Sequence, residues 1–329
     1  AASDADAESD PDSLIPAASG AADFRDARCR GVLCVGEVLF DGWPDGRVFP
    51  GGAPANVAFH VAAVGEAGSL VSRMGSDERG ARLRAWLTDA GVGHETCQMD
   101  PVEATGWVEV LTGGTEGPSY RIANPSAWDF IEMNSTVIDA LGQARVLVIG
   151  TLAQRHPRSR ETIRQSVQEA RAQGVTVLAD LNLRAPFFDE EIVLWTLRHI
   201  DVLKLNLAEL QTVCGLLGAR GSVEELFAGL LHEFGLARGV LTCGADGALF
   251  REAGESWHQP AGAAEVADTT GCGDAFGAVL AVALARGRSL REAAPAAAQV
   301  AAFVATRTEA TPRWPDDLRA RVREVMGLG

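Results

Sequence analysis

Short apolar runs rich in β-branched residues alternate with longer amphipathic stretches from residue 31 onward. The short runs predict strands because β-branched side chains pack well in a pleated sheet, and the amphipathic stretches predict helices with one buried face. Strands are predicted at 31–41, 69–75, 145–150, 175–182, 201–206 and 239–250. Helices are predicted between them, at 54–64, 158–173, 222–235, 274–286 and 290–305. This alternation is typical of βαβ units, so we expect an α/β fold with a mainly parallel central sheet.

Two Gly-rich segments interrupt the alternation, at 42–50 and 104–124. Within them apolar and polar residues alternate, which is the pattern of a strand with one covered face. They are predicted to form a small accessory sheet outside the main one.

Residues 1–28 are rich in Ala, Ser, Asp and Pro and contain few large apolar side chains. Such a segment cannot bury enough apolar surface to order itself, so we predict a disordered acidic tail. Residues 29–329 are expected to form the folded domain. The 47% hydrophobic content is ample for its core.

The net charge and the cysteine content limit which binding partners and which cellular compartment are expected. The net charge of −15 argues against binding to nucleic acid or to an anionic membrane surface, because both require a basic surface. The six cysteines form no C-x-x-C pair, and no apolar run is long enough to span a membrane. A cytoplasmic protein is expected, or one of the plastid stroma if the N-terminus is processed.

Lys204 is the only lysine of the chain. A nucleotide-binding P-loop needs a lysine directly after a glycine loop, and protein kinases need one in a V-A-I-K strand. Lys204 lies in VLKLN with no glycine loop before it, so both classes are excluded. No functional weight is given to this lysine itself.

A Gly-rich turn, Asp268 to Gly277, leads into an Ala-rich helix. Successive amides of such a turn, together with the helix N-terminus, make an anion site. Asp274 lies in the first turn of that helix, where a carboxylate is also simply a favourable partner of the helix dipole. A dinucleotide-binding fingerprint, and with it a Rossmann-type dehydrogenase, is disfavoured because Phe276 occupies the position of the third small residue.

A second Gly-rich turn, Pro50 to Ala58, also opens a helix. The glycines expose amides to a polar ligand, and the amide side chain of Asn56 can donate and accept hydrogen bonds to a sugar diol. A turn of this composition is also common as an ordinary helix start.

GGAPANVAFHVAAVG and DTTGCGDAFGAVL resemble the two signature segments of PfkB-family carbohydrate kinases, in the right order and separation. GEVLFD, DLNLR, NLAE and TCGADG resemble further motifs of the family, and the resemblance covers roughly residues 31–315. It implies a ribokinase-like three-layer sandwich in which 42–50 and 104–124 form a β-sheet lid over the sugar. GEVLFD followed by SYRIANPSAWD is most similar to fructokinases.

The resemblance also implies the catalytic parts. Asp274 would take the proton from the sugar hydroxyl, and Arg184 would hold phosphate or substrate, although a surface ion pair is an equally ordinary use of an arginine. The amides of Gly271, Cys272 and Gly273 would form the anion hole with that of Asp274. The thiol of Cys272 would feel both the helix N-terminus and Asp274, which shift its pKa in opposite directions.

Sugar, nucleotide and ion contacts follow from the same resemblance. The sugar pocket is expected to be lined by Asp41, Gly51, Gly52, Asn56, Arg121 and Trp128. The nucleotide, ATP, is expected beside Asn206, Glu209, Thr242, Gly244 and Gly247. Asn206 and Glu209 would organise Mg²⁺ through its waters, and Asp268 and Thr270 resemble a loop for a monovalent cation such as K⁺.

The expected activity is ATP-dependent phosphorylation of a sugar hydroxyl, with D-fructose converted to fructose 6-phosphate. Ribokinase and 2-keto-3-deoxygluconate kinase share the same frame and are the alternatives. A catalytically silent relative that serves as an interaction protein is a further one. The expected partner is a small-molecule sugar, and a homodimer would form through the lid.

Overall fold

The strands of the fold are short and follow the apolar runs of the sequence. The structure is a computed structural model that describes residues 31–114 and 117–329, without the side chains of 112–119, and the predicted tail at 1–28 lies outside the described residues. The described strands are β1 (Val32–Val35), β2 (Leu39–Gly42), β3 (Val48–Gly51), β4 (Gly68–Val71), β5 (Arg73–Gly75), β6 (Gln98–Asp100), β7 (Gly106–Gly114), β8 (Gly117–Ile122), β9 (Val146–Ile149), β10 (Thr176–Asp180), β11 (Val202–Asn206), β12 (Arg238–Thr242), β13 (Ala248–Glu252) and β14 (Glu255–Gln259).

The described helices include the five predicted from the sequence pattern, together with five that it did not identify. They are α1 (Ala53–Val64), α2 (Glu78–Asp89), α3 (Ser135–Leu141), α4 (Pro157–Ala172), α5 (Glu190–His199), α6 (Leu207–Leu216), α7 (Val223–Glu233), α8 (Cys272–Ala285), α9 (Leu290–Ala305) and α10 (Asp316–Met326). None of these helices is both long and apolar enough to cross a membrane.

The main sheet has eight strands in the order β14-β13-β12-β11-β10-β9-β1-β4. Neighbours from β4 to β12 are parallel, and the β12-β13-β14 edge is antiparallel. Side chains alternate between two cores: Val32 and Cys34 of β1 pack on the side of α1, α8, α9 and α10, whereas Leu33 and Val35 pack on the side of α3 to α7. The predicted three-layer α/β sandwich is confirmed.

A four-stranded sheet, β3-β2-β7-β8, lies apart from the main one and contains the two Gly-rich segments. It includes one parallel pair, β2 with β7, between two antiparallel pairs. We call these four strands the lid sheet.

Three of the predicted strands are divided in the structure. Residues 31–41 form β1 of the main sheet and β2 of the lid sheet, because the chain turns at Gly36, whose φ of 152° favours glycine. A Cβ there would come within 2.6 Å of the Pro54 ring. Residues 69–75 divide into β4 and β5, and 239–250 is a hairpin of β12 and β13.

Helix α8 is apolar on all sides, and its residues from Ala275 to Ala283 are buried. A helix of this composition is stable only when other elements surround it. It packs between α1 and α9 against the main sheet. This packing fixes the N-terminus of α8 at the carboxyl edge of the parallel strands, where ligands of open α/β sheets bind.

Candidate active site

The Gly-rich turn before α8 is closely packed from behind. Gly271 caps the helix with a left-handed φ of 78°, and a Cβ on it would come within 2.6 Å of the Ala310 backbone. Only glycine fits such a position. The amide of Cys272 donates to the Thr269 carbonyl at 3.2 Å. The following amides, of Gly273 and Asp274, lie in the first helical turn, where no earlier carbonyl of the helix is available to them.

Asp274 is joined to the other Gly-rich turn by a hydrogen bond. Asn56, on the second turn of α1, donates from Nδ2 to Asp274 Oδ2 at 2.8 Å. Burial and then Asp180 raise the pKa of Asp274 to about 6, against the hydrogen bond from Asn56, which lowers it. The two motifs that the sequence singled out therefore meet at one carboxylate.

The start of α1 is pressed against the end of β1 and the lid sheet. Gly52 has a φ of 103°, and a Cβ on it would lie 2.5 Å from the Glu37 carbonyl oxygen. A Cβ on Gly51 would lie 2.5 Å from Asp41 Oδ2. Asp41 thus reaches over the glycine turn, where burial and then Asp274 raise its pKa to about 7.

Arg184 is the cation among these carboxyl groups. Its positive charge lowers the pKa of Glu37, Asp41 and Asp274, in each case against the effect of burial. Its Nη1 donates to the Leu183 carbonyl at 3.1 Å. This bond to the loop after β10 orients the guanidinium. The predicted residues Asp41, Asn56, Arg184 and Asp274 are brought together in the structure.

A family model described as "pfkB family carbohydrate kinase" matches residues 43–317, most of the chain. The chain belongs to the pfkB family of carbohydrate kinases. Among curated relatives, the bifunctional protein HldE of Azotobacter vinelandii is 31% identical over 279 residues, covering 84% of this chain and 56% of its own length. This chain therefore spans about half the length of that relative.

Two further likenesses come from fructokinases. A probable chloroplastic fructokinase-6 of Arabidopsis thaliana is 28% identical over 278 residues, covering 79% of this chain and 71% of that protein. The crystal structure of the fructokinase of Xylella fastidiosa with bound ATP superposes with a TM-score of 0.80 at 22% identity, covering 91% of this chain and 99% of that one. At this identity the superposition shows the shared fold.

In this pfkB-family chain the residues predicted for nucleotide follow neighbouring strands. Asn206 ends β11 and is paired in register with Thr242, the last residue of β12. Gly244 and Gly247 form the turn after Thr242 with φ of 60° and 89°, and a Cβ on Gly247 would lie 2.1 Å from the Gln259 carbonyl oxygen. These residues share the carboxyl edge of the sheet with Asp180, the last residue of β10.

The NLAE segment forms a capping box at the start of α6. Asn206 Oδ1 accepts from the Glu209 amide, and Glu209 Oε2 accepts from the Asn206 amide, each at 2.9 Å. Glu209 Oε1 also accepts from the Leu183 amide at 3.0 Å, which ties α6 to the Arg184 loop. Asparagine followed three residues later by glutamate is the sequence signature of such a cap, and this structural use of the motif escaped the sequence analysis.

The same acidic edge suits a hydrated divalent cation. Burial raises the pKa of Glu209 and Asp180 raises it further, as expected for two carboxyl groups that share one space. Among the described residues no three His, Cys, Asp or Glu side chains cluster closely enough to enclose a metal. A pair of carboxylates fits Mg²⁺ that keeps most of its waters.

Asp268 shapes the turn that precedes α8. Its Oδ1 accepts from the Thr270 amide at 2.8 Å and from the Thr270 hydroxyl at 2.7 Å. The two residues predicted to hold a monovalent cation are thus hydrogen-bonded to one another.

Arg121 points away from the site, contrary to the expectation. It lies beside Glu109 on the outer face of the lid sheet, is largely exposed, and pairs with it at 2.6 Å. Side chains alternate along a strand, so the preceding residue, Tyr120, lies on the same face as Asp41. Burial raises the pKa of Tyr120, and the nearby charges of Arg184 and Asp41 respectively lower and raise it. Of these two adjacent residues, Tyr120 rather than Arg121 lies on the Asp41 face of the lid sheet.

Trp128 also differs from the expectation that it lines the sugar pocket. Its ring is fully buried in the core, and the Arg155 guanidinium lies 3.9 Å from the ring centroid. Arg155 forms a buried ion pair with Asp129, in the short helix that contains Trp128. Trp128 therefore anchors the base of the lid sheet instead of contacting the space beside Asp274.

Lys204, to which the sequence analysis gave no weight, is buried at the centre of the acidic edge. Its Nζ lies 2.5 Å from Asp180 Oδ2, and a Cβ on Gly273 would lie 3.4 Å from the same nitrogen. Burial lowers the pKa of Lys204, but the charge and hydrogen bond of Asp180, together with the charges of Glu209 and Asp274, leave it raised above its ordinary value. One cation thus offsets three carboxyl groups below the Gly-rich turn. The signal available in the sequence was a lone lysine two residues before the NLAE motif.

The direction of the Cys272 pKa is decided by burial and by its acidic neighbours. Burial, and after it the charges of Asp268 and Asp274, raise the pKa of Cys272 to about 12. The positive end of α8 does not compensate, so the thiol of Cys272 stays protonated near neutral pH.

Proposed function

We propose that this protein transfers the γ-phosphoryl group of ATP to a hydroxyl of a free sugar, with D-fructose as the favoured substrate and fructose 6-phosphate as the product. The observation that supports this most directly is the Asn56–Asp274 hydrogen bond. It joins a side chain suited to sugar hydroxyls to a carboxylate at the head of an anion-binding helix. The family membership and the likeness to the probable fructokinase-6 of Arabidopsis thaliana support the substrate class.

In the proposed reaction the sugar hydroxyl oxygen attacks the γ-phosphorus while the bond to the ADP oxygen breaks. Asp274 accepts the hydroxyl proton, so the new phosphate ester forms without a free alkoxide. The amides of Gly271, Gly273 and Asp274 stabilise the charge of the transferring group. The Cys272 amide, predicted to join them, is instead bonded to the Thr269 carbonyl. Arg184 contributes its forked donors to the same phosphate. The lid sheet, through Asp41 and Tyr120, would exclude water that could otherwise accept the phosphoryl group.

Nucleotide binding is proposed along the edge formed by Thr242, Gly244 and Gly247. Asp180 and Glu209 would hold Mg²⁺ through its waters with Asn206 beside them, and the ion when bound would neutralise phosphate charge. Asp268 and Thr270 are proposed to lie against K⁺. Two copies of the chain are proposed to associate as a homodimer through the lid sheet.

A panel of sugars tests the substrate. We expect kcat/KM for D-fructose to exceed that for ribose, 2-keto-3-deoxygluconate and adenosine, because a pocket built for particular hydroxyls leaves its polar groups unpaired with other ligands. Coupled ADP release measures each value, with a sugar-free reaction as the control. Preference for another member of the panel would reject fructose and keep the kinase, whereas no sugar-dependent ADP release would favour a silent interaction protein.

The rate should depend on pH through Asp274. Its pKa is raised to about 6, so the carboxylate that accepts the proton is lost as the pH falls below that value. We expect kcat/KM to fall about ten-fold per pH unit below 6. The control is Asp274→Asn, whose residual activity should lack this limb. A flat profile between pH 5 and 7 would contradict the assignment of the base.

A further inference from the structure

Two buried acceptor oxygens without a hydrogen-bond partner lie near the N-terminal end of α1. They are Glu37 Oε2 and Asn56 Oδ1, on side chains whose residues are only 2% and 5% exposed. Buried polar atoms are nearly always paired, so each such atom requires an explanation. Two acceptors on neighbouring side chains call for a ligand with two donors.

Both side chains are held in place through their other polar atom. Glu37 Oε1 accepts from the Ala53 amide, the first of α1, at 3.2 Å. Asn56 uses its Nδ2 to bind Asp274. The backbone of Glu37 is fixed as well, because it packs against Gly52. The free oxygens are therefore positioned before any ligand arrives, which lowers the entropic cost of binding.

Glu37 belongs to the wall of the proposed sugar site. Its charge interacts with that of Asp274 and of Arg184. Asp41 and Asp274 add two more carboxyl groups, and the positive charge of Arg184, with that of Lys204 at Asp274, partly offsets them. A carboxylate or phosphate on the ligand would meet repulsion from this wall, whereas a hydroxyl would not.

We propose that Glu37 is a further substrate-binding residue that determines specificity: its free carboxyl oxygen bonds one hydroxyl of a neutral polyol, and Asn56 Oδ1 accepts from a nearby hydroxyl. This inference rests on the proposed sugar-kinase function and adds to it a residue that selects among substrates. The ligand is an uncharged sugar, not a sugar acid or sugar phosphate.

A hydroxyl suits this position in both protonation states of Glu37. Burial raises the pKa of Glu37 to about 7, against the backbone amides of Glu37 and Ala53, which lower it. A hydroxyl donates to the ionised carboxylate and accepts from the protonated acid. An anionic oxygen could only accept, and so would lose the contact whenever Glu37 is ionised.

The test compares Glu37→Gln with Glu37→Leu. Calorimetry measures the affinity of each variant for D-fructose and for a non-hydrolysable ATP analogue. We expect Glu37→Gln to weaken fructose binding several-fold, because the amide keeps the bond to Ala53 but replaces a charge-assisted hydrogen bond to the sugar hydroxyl with a weaker neutral one in which the hydroxyl accepts. Affinity for the ATP analogue should not change. The matched control is Glu66→Gln, a buried glutamate just beyond the other end of α1 that pairs with Arg286.

Monodeoxy analogues of D-fructose identify the hydroxyl concerned. One analogue should bind wild type weakly and lose little further affinity in Glu37→Gln, since the pair is then already broken. A merely structural role for Glu37 predicts the opposite pattern: normal sugar binding in Glu37→Gln, with loss of both ligands and of thermal stability in Glu37→Leu. That pattern would overturn the proposal.

The remaining outcomes separate this inference from the proposed function. If wild type phosphorylates a sugar acid or sugar phosphate better than any neutral sugar, the neutral-polyol site is wrong and the kinase stands. If neither neutral nor charged sugars cause wild type to release ADP, both the proposed function and this inference are wrong.

Discussion

Replacing Asp274 with asparagine should lower kcat by roughly 10²–10⁴-fold, the usual contribution of a general base. The amide is close in size to the carboxylate, and its oxygen can still accept the hydrogen bond from Asn56. The backbone amides that hold phosphate are untouched. We therefore expect coupled ADP release to fall by that factor, while calorimetry finds unchanged affinity for a non-hydrolysable ATP analogue.

The control for this variant is Asp317→Asn. Asp317 also lies in the first turn of a helix, α10, but it is exposed and pairs with Arg321. Its replacement should leave kcat as in wild type, because a carboxylate that only complements the helix dipole does no proton transfer. If Asp274→Asn kept kcat within a few-fold of wild type, another group would have to be the base.

Replacing Lys204 with methionine should reduce the free energy of unfolding by about 3–5 kcal/mol, the usual cost of removing one partner of a buried ion pair. Methionine fills much of the same volume, so the loss comes from charge. Asp180, which pairs with Lys204 at 2.5 Å, would remain buried beside Glu209 without its cation. Urea unfolding followed by circular dichroism measures the change.

Two comparisons separate charge from packing in this variant. Adding Asp180→Asn to Lys204→Met should recover part of the lost stability, because the unpaired carboxylate is then gone. Arg321→Met breaks an exposed ion pair and should cost less than about 1 kcal/mol. If Lys204→Met were as stable as Arg321→Met, the buried pair would be irrelevant to stability.

The hydrophobic pattern was sufficient to predict the layers of the fold, but it did not predict where individual strands end. Residues 31–41 are a single apolar run, yet the backbone turns at Gly36 and enters a second sheet. The turn depends on a tertiary contact with Pro54, which no local pattern encodes.

The candidate site was predictable where a motif fixes both a residue and its backbone. Asp274 and Asn56 each follow glycines at a helix start, and the structure brings them into contact. The prediction that Arg121 lines the sugar pocket was wrong because side chains alternate along β8, so an error of one residue in the register places a side chain on the opposite face of the sheet. The prediction that Trp128 lines the sugar pocket was wrong because aromatic side chains are found in cores as often as in pockets. Lys204 was missed because its partner, Asp180, lies on a neighbouring strand, 24 residues earlier in the chain.

The contact between Asn56 and Asp274 joins residues that are 218 positions apart. At a synthesis rate of 5–20 residues per second, a ribosome needs roughly 10–40 s to extend the chain from one to the other. Until α8 emerges, the α8-facing side of α1 has no covering partner and the proposed base does not exist. The contact on which the proposed reaction depends therefore forms only late in synthesis, when most of the chain has already been made.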